Sequence, residues 1–97
     1  MQCFPLGQIP GNVELNNTAR KVVDIAAKAS SYVQNVSIVV CIGGRELAIT
    51  IYNGGSLEDM LKLGLLIQAG LEAEHFKYRI EIDEQAPAQY AKLIVKF

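Results

Sequence analysis

The sequence has a single histidine and only two cysteines, and no charge of either sign is in excess. Cys3 and Cys41 form no CxxC pair, and with one histidine they cannot assemble a zinc ligand set, so neither a metal nor a cofactor is expected. Nine basic residues nearly balance ten acidic ones and the few aromatics are scattered, leaving no field to hold a phosphate backbone. That excludes nucleic acid as the expected partner. No apolar run reaches the ~18 residues of a membrane span. The opening MQCFPLGQIPG lacks the basic region and apolar core of a secretory signal, so a cytoplasmic protein is expected. In a reducing cytosol the two cysteines are expected as thiols, with a Cys3–Cys41 disulfide as the alternative. Repeats, low-complexity tracts and linkers are also missing, and residues 1–97 read as one domain.

What is present begins with a helix over residues 16–33. Ala19, Val22, Val23, Ala26, Ala29 and Val33 recur at three- and four-residue steps, with Arg20, Asp24, Lys28 and Ser31 opposite. Asn16, Asn17 or Thr18 can cap it by accepting a first-turn N–H. Arg20 and Lys21 then put two cations where the helix dipole is already positive, at ~0.3–1 kcal/mol per exposed charge. A bound anion would reverse that sign, making Thr18, Ala19, Arg20 and Lys21 an anion-site candidate. The alternative is that both side chains simply reach into water.

Before this helix, residues 2–8 form a strand candidate that Pro5 confines to a sheet edge or a strand start. After it, Val36, Ile38, Val40 and Ile42 alternate up to Gly43-Gly44, and Leu47, Ile49 and Ile51 alternate beyond. A two-residue turn at the glycines pairs Val40 with Leu47, Ile38 with Ile49, Val36 with Ile51 and Ser37 with Thr50, with every large residue on one face. Asn53-Gly54-Gly55 ends that strand. Ser56 opens a second helix, with Glu58 and Asp59 at its positive end and Leu57, Met60, Leu61, Leu65 and Leu66 as its apolar stripe. Gly64 either interrupts this helix or permits close packing, and Gly70 reads as lying past its end. Residues 76–82 alternate again as a strand with one wet face. His75 precedes that strand with no nucleophile or paired carboxylate at useful spacing, as a solvent or hairpin residue. Asp83 to Pro87 suits a helix start, and Ala86, Tyr90, Leu93, Ile94 and Phe97 mark the buried side of a final helix. The order is β-α-β-β-α-β-α: an α+β open-faced β-sandwich, a four-stranded antiparallel sheet with three helices on one face.

This order and several local runs resemble the HPr family, the small phosphocarriers of the bacterial sugar phosphotransferase system. Asn16-Asn17-Thr18-Ala19-Arg20-Lys21 stands at the place of that family's Gly-Leu-His-Ala-Arg-Pro loop. Gly55-Ser56-Leu57-Glu58-Asp59-Met60-Leu61-Lys62-Leu63-Gly64 stands at its Lys-Ser-Ile-Met-x-x-Met-x-Leu-Gly run. Asp83-Glu84-Gln85 leading into Leu93-Ile94-Val95-Lys96 is similar to its last helix. The spacing from Thr18 to Ser56 is longer than the family's, through a longer central hairpin.

Thr18 falls on the family's phosphoryl-accepting histidine. A threonine hydroxyl is not nucleophilic near neutral pH without a base, and phosphothreonine is too stable to hand its group on. Arg20 matches the family's phosphate-contacting arginine, while Lys21 replaces its proline. The resemblance therefore implies a regulatory or protein-binding relative of the phosphotransferase system, not an enzyme or a phosphohistidine carrier. Its protein partner would meet the helix start and a surface including Leu57, Met60 and Leu61, with Glu58 where the family commonly has methionine. Ser56 matches the family's regulatory serine. As a plain helix cap it needs no such role, and Glu58 and Asp59 would repel a phosphate there. A ferredoxin-like binding or assembly module, unrelated to sugar uptake, is the alternative.

Overall fold

The computed structural model describes residues 2–34, 36–52, 57–81 and 89–97, and of Gln89 and Tyr90 the backbone alone. A strand β1 (Gln2–Pro5) runs into a 3-10 turn at Leu6–Gln8. Then come α1 (Asn17–Ser30), β2 (Ser37–Ile42), β3 (Glu46–Tyr52), α2 (Leu57–Ala73), β4 (Tyr78–Glu81) and β5 (Gln89–Lys96). The five strands make one antiparallel sheet in the order β1-β2-β3-β5-β4. The chain is thus α+β with an open antiparallel sheet, and among the described residues it has five strands and two helices, where four and three were expected.

The difference lies at the C-terminus. Residues 89–96 are strand, not helix. The run reads both ways, because Leu93, Ile94 and Phe97 suit a helical stripe while Ala91, Leu93 and Val95 alternate. Pairing decides it. β5 fills the slot between β3 and β4, and a helix there would leave both neighbours with unpaired edges. The expected helix start at Asp83–Pro87, with Ala86, lies outside the described residues, as do Ile82 and the expected turn at Asn53-Gly54-Gly55. β1 is an edge strand ending at Pro5, where a missing N–H breaks no inner ladder. β1 and β2 are antiparallel neighbours, so the segment joining them is not a parallel crossover.

The central hairpin forms with its register moved by two residues. Val40 pairs with Ile49, Ile38 with Ile51, and Val39, not Ser37, with Thr50. A two-residue shift leaves every side chain on its face, so alternation cannot distinguish the two pairings. The expected one would put Arg45 opposite Ile42. The observed one puts Leu47 there and leaves Arg45 exposed at the tip, which the Gly43 N–H closes onto the Glu46 carbonyl at 2.9 Å.

Three side-chain rows face the helices: Phe4, Val40, Ile49, Leu93 and Ile80 in one, Ile42, Leu47, Val95 and Tyr78 in the next, and Ile38, Ile51 and Ala91 in the third. Their central members are fully buried against Ala19, Val22, Ala26 and Ala29 of α1 and Met60, Leu63, Ile67 and Leu71 of α2. No described helix covers the other face. There Cys3 lies directly opposite Cys41 and the two are joined as a disulfide, Cα to Cα 4.0 Å, so the expectation of two thiols is replaced by its alternative.

The two helices touch at a glycine. Gly70 lies inside α2, not past its end, and a Cβ there would come 2.5 Å from Ile25 Cγ2 of α1. The true end is three residues further on. His75 adopts φ 61°, its N–H donates to the Glu72 carbonyl (3.0 Å), and the Phe76 N–H donates to the Leu71 carbonyl (2.9 Å). This pair of bonds is a Schellman cap, with Phe76 folded back onto the core.

Candidate functional site

The start of α1 is built as its sequence suggests. Asn16 is the cap, its Oδ1 accepting the Ala19 N–H at 2.7 Å. That bond occupies one of the amides an anion would need, leaving Asn17 and Thr18 as the first-turn donors without an intrahelical acceptor. Thr18 is half-buried and Ala19 buried, while Arg20 and Lys21 are exposed. Arg20 makes no ion pair among the described residues. Its Nε turns back to the Leu15 carbonyl at 3.3 Å.

The two cations line different hollows. Arg20 lines a hollow of about 370 Å³ with Ile9, Pro10, Val13 and Leu15, below the helix start. Lys21 lines a different hollow, of about 480 Å³ between α1 and α2, floored by Ile25, Ala29 and Leu66. Neighbouring helix residues project about 100° apart, so this separation follows from the sequence spacing itself. Thr18 to Lys21 is a positive helix end with Arg20 beside one hollow and Lys21 beside another.

Along α2 the surface is of another kind. Met60, Leu63, Gly64, Ile67 and Leu71 are the buried stripe. Leu57, Leu61 and Leu65, members of the expected apolar stripe, are 60%, 43% and 64% exposed. They recur every four residues and so form one ridge on the helix. Met60, expected on the partner surface with Leu57 and Leu61, belongs to the core instead, and Leu65 takes the third place on the ridge. Ser56 lies outside the described residues. Which members of the stripe turn inward was not legible because α2 is apolar on more than one side, and periodicity marks a single stripe only where the rest is polar.

His75 is exposed at the cap of α2 and serves the backbone. The described residues contain no group of three histidine, cysteine or acidic side chains that could hold a metal. No described helix is long and apolar enough to cross a membrane. Compared with known proteins, the chain matches no family model, no curated protein and no solved structure.

Proposed function

We propose that this chain acts by binding another protein, as an HPr-like relative of the sugar phosphotransferase system that no longer carries phosphohistidine. The ridge Leu57–Leu61–Leu65 carries the reading. Three leucines about half in water on one line of a helix forgo roughly 1 kcal/mol each, about half the value of full burial, that a covering partner would supply. Leu57 and Leu61 stand where the resembled family has apolar residues in its second helix, and Leu63 and Gly64, at the family's Leu-Gly, point into the core. The exposed Arg20 and Lys21 add a positive end for an acidic or phosphorylated contact. Thr18 makes the chain a receiver of contacts, not a link in phosphoryl transfer. The partner on this reading is a phosphotransferase-system enzyme or a regulator coupled to it.

The test is titration of the purified upstream phosphotransferase enzyme into wild type and Leu61→Glu, with phosphoenolpyruvate added afterwards. The expected result is binding that Leu61→Glu weakens at least tenfold, with no acid-labile phosphate on the chain. Equal binding by both proteins, no binding by either, or a labile phosphate on His75 would contradict it.

A further inference from the structure

We propose that the Cys3–Cys41 disulfide is an exchange site for a protein dithiol, and that opening it releases β1 from the sheet. The argument starts from how little else holds that strand. β1 has only four residues. Gln2, Cys3 and Pro5 are exposed and Phe4 is only half-buried. No described residue before Ala19 belongs to the buried core. The covalent bond between directly opposed cysteines therefore reinforces a four-residue ladder and the packing of the half-buried Leu6 just after it, the other ties of this edge.

The bond is also placed to be attacked. It lies on the sheet face that no described helix covers, with Cys3 exposed and Cys41 half-buried. A dithiol's thiolate attacks Cys3 Sγ, the S–S bond breaks, and Cys41 leaves as a thiolate that takes up a proton. The reductant's second thiol then displaces Cys3 from the mixed disulfide. Two electrons and two protons pass to the chain, and the dithiol is left as its own disulfide. Once β1 leaves, the edge of β2 loses its partner along Val39–Ile42, while the β2–β3 and β3–β5 ladders stay paired. The change is local because the core does not depend on β1.

The experiment exposes the air-oxidised full chain, without denaturant, to a reduced thioredoxin-type dithiol protein. Thiols are counted after quenching, and amide hydrogen exchange is followed by mass spectrometry. The expected result is no thiols before treatment and two per chain within minutes. Exchange then accelerates at least tenfold over residues 2–4 and 39–42, with residues 46–52 and 57–73 unchanged. The double variant Cys3→Ala/Cys41→Ala gives the same pattern with no reductant. Thiols already free in air, or none released without denaturant, would overturn the exchange site. Unchanged exchange after reduction, exchange rising across the whole domain, or a double variant resembling the oxidised chain would overturn the release of β1.

Discussion

His75 sits in the left-handed region, a conformation costing an L-residue with a Cβ roughly 1–2 kcal/mol and glycine almost nothing. His75→Gly is therefore expected to raise the unfolding free energy by about 1 kcal/mol, read from urea denaturation. A decrease would mean the imidazole makes a contact that the cap alone does not explain. Asn16→Ala should lower stability by about 1 kcal/mol through the lost bond to the Ala19 amide, and Asn16→Asp should not. Tyr78 offers a test by pH. Its hydroxyl donates to Glu72 Oε1 at 2.7 Å. That bond, then partial burial, then the nearby carboxylate charge hold the phenol above its usual 10.0. The folded pKa is raised, so the contribution is full below about pH 10, where the unfolded phenol ionises, and is lost as pH climbs through the higher folded value. Denaturation at pH 8 and pH 11 should find wild type losing more stability than Tyr78→Phe, and an equal loss in both would contradict the assignment. Of these residues only the cap was legible in the sequence, as one of Asn16, Asn17 and Thr18. A histidine at a helix C′ position has no signature without the glycine that usually marks it.

Among the elements, the α1–α2 contact makes the sharpest claim. Gly70→Ala gains up to about 1 kcal/mol of helix propensity but drives a methyl into Ile25, whose β-branch leaves it little rotamer freedom. Overpacking of this kind costs about 1–3 kcal/mol, so the substitution should be neutral to destabilising by up to about 2 kcal/mol. In an Ile25→Ala background the obstruction is gone and the same substitution should become stabilising. If the sign does not change, the helices are not held apart at Gly70. Legibility of the elements followed how many periods a stretch could satisfy. α1, with an apolar stripe against charge, was readable almost to its last turn. The serines at its end take the helix's own carbonyls, Ser30 Oγ that of Ala27 and Ser31 Oγ that of Lys28, and α1 stops at Ser30, short of Val33. The hairpin's faces were readable and its even-numbered shift was not. Residues 91–95 satisfied both periods, and only the vacant place between β3 and β4 selected the strand.

At the scale of the molecule, one core of helix and sheet residues is closed covalently at its edge. The 38-residue separation between Cys3 and Cys41 corresponds to about 4 kcal/mol of loop entropy removed from the unfolded chain. Cys3→Ala/Cys41→Ala should thus lower the unfolding free energy by up to that amount, less what a released β1 regains, while keeping one cooperative transition. A broad or absent transition would show the core depends on that edge. Pairing of the cysteines was left open by a sequence that fixes neither register nor compartment. On α2 the apolar stripe from Leu57 to Leu65 was legible, but not that Met60 leaves it for the core and so leaves an exposed leucine ridge. Its role is the central claim, and site-specific photo-cross-linking in living cells addresses it most directly. A cross-linker at position 57, 61 or 65 should join the chain to one and the same other protein, while positions 28 and 72 give no such product. Identical products from all five positions, or products of the chain with itself alone, would contradict the claim.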